Sequence, residues 1–487
     1  MRLRAPFLAL ALTGVMAAPL LQGCAVNPVT GQRQFVLFSE SQEIELGREA
    51  DRDITASLGV VDDPELQGWL DEMGQRMAAI SERPDLPWTF RVLDDPTINA
   101  FALPGGFIYM TRGILAHLNS DAEVAGIVGH EIGHVTARHG VTRVSRQQVT
   151  QLGLGIGMIL APELQPFGEF AGVGLQLIFL RNSRDDERQA DDLGLRYMTA
   201  QNYDPRAVAR VFEMLGRASG AEDGDRIPGF LSTHPDPLER RDRILARTTG
   251  DPPELAGEID DREGYLRRIE GMVFGTNPRE GYFREAAFLH PEMAFRLDFP
   301  SGWRTANART AVQGVSPQED AVLVLTLVEE STPAAARDAF LRGEGMEVIN
   351  RSDAAVNGLP GAFGEFRART QEGVFRGAVQ VVRHDGRTFR ILGYALDGAW
   401  DGRRSSVLSA LRSFREVTDP AVLGVQPRRI ELVRTQTDMT FEGFVQRHPS
   451  TVPPETVAVM NGLRSGQVIP QGTLLKRVVG EPPPGKD

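Results

Sequence analysis

The chain has 487 residues, 41% hydrophobic and 24% charged, which is enough for two or three ordinary domains with their own cores. A formal net charge of −12, with no basic run interleaved with aromatics, excludes nonspecific nucleic-acid binding and offers no attraction to anionic lipid. Cys24 is the single cysteine, so no disulfide can form within the chain and burial must carry its stability.

In chain order the first element is a leader. Arg2 and Arg4 precede the apolar run from Phe7 to Ala18, which is short for a membrane span and has the parts of a secretory signal. It ends in Leu21-Gln22-Gly23-Cys24, which resembles the bacterial lipobox. That resemblance implies that 1–24 is a lipoprotein signal, that Cys24 is lipidated, and that the acyl chain makes the membrane contact. Ala25 after the cysteine, rather than Asp, implies a place in the periplasm on the inner face of the outer membrane.

Asn99 to Gly106 reads as a short segment closed by a Pro-Gly-Gly turn, and Phe107 to Met110 as a strand. Ser120-Asp121-Ala122-Glu123 is a helix start signal, with Ser120 as N-cap and Glu123 closing a capping box. Val124, Ile127, Val128, Ile132 and Val135 then predict a buried helix over 122–140. Gly126, Gly129 and Gly133 each weaken its intrinsic helicity by about 1 kcal/mol, yet let another backbone come close, so packing must hold it. Within this helix lies His130-Glu131-Ile132-Gly133-His134, an H-E-x-x-H run. A spacing of four puts both imidazoles on one face, where each can reach one zinc ion at about 2 Å. Glu131 is rotated by about 100° from its neighbour, beside the open coordination position, where a general base for the attacking water belongs. His139, one turn past His134, is expected behind the ligands or on the surface.

Leu152 to Ala161 and Phe167 to Leu180 are apolar, but Pro162 and Pro166 part them and each falls well short of the ~20 residues of a span. They are expected as helices buried around the site; the alternative is an apolar surface for unfolded substrates or a membrane-embedded partner. Next, Glu187 and Asp191 lie four apart on one face of a further helix. Glu187 is the candidate third ligand, and Asp191 the acceptor for the distal N–H of a ligand histidine. Alone, this acidic segment with Arg184 and Arg188 would describe a solvated, ion-paired face.

H-E-x-x-H followed by S-R-x-x-E-x-x-A-D, matched at Ser183, Arg184, Glu187, Ala190 and Asp191, resembles the HtpX and CAAX-prenyl-protease class of gluzincin metallopeptidases. Within that class the soluble periplasmic BepA-like branch is the nearer likeness, and the resemblance covers about 35–250. It implies one Zn2+ per chain on His130, His134 and Glu187, with Asp191 and Arg184 behind them and Glu131 as base. It implies that Asn99, Ala100, Phe101 and Ala102 lie on an edge strand that adds an extended substrate to the sheet. For His234, in Ser232-Thr233-His234-Pro235, it implies an active-site place, either steadying the oxyanion or filling the fourth zinc position and closing the enzyme.

Residues 251–284, rich in Gly, Pro and acids, read as a linker. From 285 to 417 strands at 295–299, 321–328, 361–367, 374–382 and 388–395 alternate with helices at 333–342 and 400–414. This resembles a small α/β module of the PsbP type and holds no catalytic constellation, so a binding or spacer role is expected. Residues 426–480 run strand, Thr440-led helix, helix, strand and resemble a LysM module, which implies peptidoglycan-type glycans as a partner; 481–487 is expected as a disordered tail. The expected fold is α+β, a mainly helical zinc-peptidase domain with a small sheet, then the α/β domain and the LysM-like module. The expected function is zinc-dependent cleavage of misfolded or unassembled envelope proteins. The alternative is an assembly factor or chaperone whose zinc site His234 keeps closed.

Overall fold

The computed structural model describes residues 24–154, 182–218, 229–250, 255–370 and 373–481. The expected leader up to Gly23, most of the apolar stretch at 149–180 and the last six residues lie outside the described residues. Cys24 opens β1 (Cys24–Val26), which pairs antiparallel with β2 (Arg33–Phe35). Among the described residues no helix is long and apolar enough to cross a membrane.

The architecture is α+β: a helical unit with a small sheet, followed by a largely β region. Helices α1 (Glu40–Leu58) and α2 (Pro64–Ala78) precede strands β3 (Thr89–Leu93), β4 (Ala100–Leu103) and β5 (Phe107–Thr111). The sheet order is β3-β5-β4, with β3 parallel and β4 antiparallel to β5. β5 is buried throughout and forms the centre, which leaves β4 as an edge. After α3 (Arg112–His117) comes α4 (Asp121–Thr136), the H-E-x-x-H helix, in which every residue from Ala122 to Thr136 is buried.

Ser120 caps α4 by accepting from Glu123 N. The expected capping box is only half formed, because the Glu123 carboxylate reaches one residue further back and accepts from Asn119 N at 2.6 Å. The helix also stops earlier than expected. Arg138 adopts a left-handed backbone (φ +62°) after the Ala137 cap, and His139 begins a new helix, α5 (His139–Leu154). The glycines act by contact with the helix Arg184–Ala200: a Cβ on Gly129 would lie 2.9 Å from Gly194 O, and one on Gly194 would lie 2.7 Å from His130 N. Only hydrogen at both positions lets the two backbones cross this closely, which brings Glu187 to the histidines.

The stretch 251–284 is more than a connection. It contains the helix Arg262–Arg268, whose Tyr265 and Leu266 are buried in the core of the helical unit, with Tyr265 Oη donating to Leu115 O at 2.6 Å. Its Gly, Pro and acid content hid this short apolar anchor. Beyond it, two antiparallel sheets form the β region. One has the order Arg415–Glu416, Phe295–Asp298, Ala287–His290, Tyr282–Arg284. The other has seven strands: Met346–Ser352, Gly361–Thr370, Gly373–His384, Arg387–Leu396, Ala321–Val328, Ala311–Val315 and Arg304–Asn307. Helices Pro333–Leu341 and Asp397–Leu411 pack on it. The strands at 304–307 and 346–352 escaped sequence analysis because they are edges, largely exposed and without an alternating apolar face.

The last segment follows the expected order. Strand Arg429–Arg434 pairs antiparallel with Leu474–Val479, and helices Phe441–Arg447 and Pro454–Asn461 lie between them. Phe444, Met460 and Leu475 share one apolar core with Leu115 and Leu118 of the helical unit. Lys476 is fully buried in this contact, its Nζ donating to Ala116 O at 2.9 Å and to Leu118 O.

Candidate metal centre

α4 carries His130 and His134 one turn apart, the helix Arg184–Ala200 supplies Glu187, and the loop after Gly229–Thr233 supplies His234. These four residues are buried and form the one potential metal-holding group among the described residues. His130 Nε2 lies 3.0 Å from His134 Nε2, 3.3 Å from His234 Nδ1 and 3.5 Å from Glu187 Oε2. Glu187 Oε1 lies 3.3 Å from His134 Nε2 and 2.9 Å from His234 Nδ1. Four ligands about 2.0 Å from a tetrahedral ion are about 3.3 Å apart, so these spacings match a zinc-sized centre. The donor chemistry agrees, since three ring nitrogens and a carboxylate oxygen converge on one point, a donor set suited to zinc.

Electrostatics point the same way. Burial and Arg240 would push the His130 imidazole down, but the Asp191 and Glu187 carboxylates outweigh them and raise its pKa to about 9. In the cation-free protein the carboxylates thus draw a proton into a place suited to a metal. Burial pushes His134 well down, towards the neutral ligand form. Burial would raise the Glu187 carboxyl, but His234 and Arg240 hold it well below the usual range, so it stays anionic.

Glu131 is 1% exposed and its Oε1 has no hydrogen-bond partner; His234 Nε2 is 3.8 Å away. Burial raises its pKa despite the nearby His234 and His130. Asp191 stands where expected, its Oδ1 3.0 Å from His130 Nδ1. Arg184 does not. Its side chain is 71% exposed and its Nε lies 2.8 Å from Asp236 Oδ2, away from the ligands. The cation behind the acidic pair is Arg240, 3% exposed, which donates to Asp191 through Nε (2.9 Å) and Nη2 (2.6 Å) and pairs with Glu187 through Nη1 (2.6 Å). In sequence it is hidden within the solvated-looking run Glu239-Arg240-Arg241-Asp242-Arg243; the signal is its position one turn into the helix Pro237–Thr248, directly after the His234 loop. Asn182 was also missed. Its Nδ2 lies 3.4 Å from His134 Nε2 and 3.3 Å from His234 Nδ1, and its N–H donates to Thr233 O, tying the histidine loop down.

A cleft adjoins the centre, lined by Phe101, Ala102, Leu103, Glu131, His134 and His234. The predicted substrate strand therefore splits. Ala100, Phe101 and Ala102 are on edge strand β4 beside the site, whereas Asn99 precedes the strand, its O accepting from Thr111 N.

A buried H-E-x-x-H helix, a glutamate from the helix Arg184–Ala200 and an edge strand along the cleft form the site of a metallopeptidase. Residues 64–248, less than half of the chain, match the model of Peptidase family M48. The chain is 37% identical over 191 residues to the mitochondrial metalloendopeptidase OMA1 of Arabidopsis thaliana, covering 39% of this chain and 37% of that protein. It is 28% identical over 259 residues to a putative beta-barrel assembly-enhancing protease of Vibrio cholerae, covering 50% of this chain and 53% of that one. The chain thus spans about half or less of the length of these relatives. Among solved structures, cyanobacterial PsbP from Synechocystis is similar at 15% identity and a TM-score of 0.24, over 27% of this chain and 91% of that chain.

Proposed function

We propose that this protein is a zinc metalloendopeptidase of the bacterial envelope that cleaves misfolded or unassembled proteins and rests in a closed state. The observation that carries the reading is the convergence of His130, His134, Glu187 and His234 beside a buried Glu131 whose Oε1 accepts no hydrogen bond. Bound by these residues, a zinc ion would supply Lewis-acid polarisation of the scissile carbonyl and of the attacking water. The chain's own groups do the rest. An extended substrate adds to the free edge of β4 and is aligned through its main chain. Glu131, whose pKa is raised by burial, takes the proton from the attacking water and passes it to the leaving amine nitrogen. His234 fills a ligand place at rest; once displaced, it donates to the developing oxyanion. Asp236, two residues on, has a left-handed backbone (φ +62°), a non-glycine strain point suited to a loop that moves.

The envelope setting rests on the leader and the lipobox-like Cys24 and is supported by the likeness to a beta-barrel assembly-enhancing protease of Vibrio cholerae. Lipid anchoring at the outer membrane, and glycan binding by 426–480, belong to the same proposal. The closed histidine also favours a second reading, a client-binding assembly factor that rarely cleaves. Cleavage of unfolded casein by the purified chain, with Glu131→Gln and His234→Ala alongside, separates the two. Zinc-dependent cleavage lost in Glu131→Gln supports the peptidase, and cleavage confined to His234→Ala supports gating. No cleavage by any form, with zinc supplied, removes the general peptidase and leaves the client-binding role.

A further inference from the structure

The two histidines of the H-E-x-x-H run are supported in unlike ways. His130 turns its distal nitrogen, Nδ1, to the Asp191 carboxylate at 3.0 Å. His134 turns its Nδ1 to another imidazole, with His139 Nδ1 at 2.9 Å and the rings 72° apart. His139 Nε2 in turn lies 2.9 Å from Gln189 Oε1 and, further off, 3.5 Å from Asp186 Oδ1. Proton counting leaves one arrangement. His134 faces the centre through Nε2, so as a neutral ligand it carries its proton on Nδ1 and must donate it to His139. His139 Nδ1 is then bare, its proton is on Nε2, and that N–H is donated to the Gln189 carbonyl oxygen. A flipped Gln189 amide would set N–H against N–H. His139 is 5% exposed, so its ring nitrogens must find their partners within the protein.

The geometry comes from the early end of α4. Left-handed Arg138 breaks the helix, so His139 starts α5 and its ring turns back onto His134 instead of following the α4 surface. Gln189 sits between Glu187 and Asp191, so the helix Arg184–Ala200 supplies a ligand and the outer support of both histidines.

We propose that His139, held by Gln189, is a positioning residue that fixes the tautomer and ring angle of His134 and so sets how tightly the centre holds zinc. This rests on the zinc reading above. It also makes the two ligands unequal, because a neutral acceptor raises the basicity of its partner less than the carboxylate behind His130 does.

The test is zinc affinity of the full chain, read by competition with a fluorescent chelator, with the visible spectrum of the Co2+-loaded protein as a second readout. His139→Phe keeps a ring but removes the acceptor, and should weaken zinc binding by about 10- to 100-fold and alter the Co2+ bands. His139→Asn, whose amide oxygen can occupy the Nδ1 position, should restore most of the affinity, which a purely packing role would not. Gln189→Leu should shift affinity in the same direction by less. A wild-type affinity and Co2+ spectrum in His139→Phe overturns the proposal, as does an equal loss in the Phe and Asn variants. If His139→Phe does not fold, Gln189→Leu decides, and an unchanged affinity there overturns it. A wild-type chain that binds no zinc overturns the zinc reading itself, whereas zinc held equally by all variants overturns the relay alone.

Discussion

Around the H-E-x-x-H helix, His130, Glu131, His134, His139, Glu187, Asp191, His234 and Arg240 are all at most 5% exposed. The core of the β region is built instead from Phe288, Phe295, Leu297, Phe389, Trp400 and Phe414, with rings such as Phe295 and Phe414 stacked at 5.0 Å. Burying the first set costs desolvation that is recovered only through mutual pairing, so each member depends on the others and on a cation. Burying the second is favourable residue by residue. The contrast teaches where function is placed: in the unit where stability was given up, not where it was gained.

Arg240→Met should sharpen this most. It strands the Glu187 and Asp191 carboxylates, and should cost about 3–5 kcal/mol in the zinc-free protein but less when zinc is present to neutralise Glu187. Thermal unfolding with and without zinc reads the difference; an equal cost in both states would break the comparison. Phe295→Ala should cost a similar or slightly smaller amount, about 3–5 kcal/mol, independent of zinc and with cleavage per folded molecule unchanged. Lys476→Met tests the join between the last module and the helical unit. It leaves Ala116 O and Leu118 O without their donor and should cost about 1–3 kcal/mol by denaturant titration.

The smallest effect is expected at the seam between the two regions. Glu280 lies near Asp94, and Arg309 Nη2 is 3.0 Å from Glu280 Oε1. Burial and the Asp94 charge raise the Glu280 pKa to about 7. The folded protein therefore keeps a proton that the unfolded chain releases near its ordinary value of 4.5. The resulting stability is present in full below about 4.5 and is lost as pH rises through about 7. Glu280→Gln should match the wild type in melting temperature at pH 5 and exceed it at pH 8. No difference at pH 8 would mean that Arg309 and Arg112 already neutralise the seam.

Much of the site was legible because helical spacing is local. His130, His134, Glu187 and Asp191 declare themselves at intervals of four, and Ser120 marks the start of the first helix. Arg184 was misplaced for the same reason. Sequence pattern puts it in the motif, but its position at the first turn of its helix turns it to solvent and Asp236. Arg240 and Asn182 were not legible, since each meets the centre from an element remote in sequence, and of the two places open to His139 the backbone break at Arg138 chose the one behind the ligands. The strand at 321–328 was read to the residue and those at 361–367, 374–382 and 388–395 fell within slightly longer ones, whereas 304–307, 311–315 and 346–352 were not read.

By itself the sequence determined the chemistry on offer: the ligand types, their spacing along two helices, and the acidic, disulfide-free character of the chain. Tertiary structure alone decided which groups meet. The Gly129–Gly194 crossing brings Glu187 to the histidines, the His234 loop closes the centre, and Arg240 rather than Arg184 pairs the carboxylates. The physical reason is range. Spacing along one helix follows from 3.6 residues per turn, while the meeting of separate elements depends on how closely their surfaces pack.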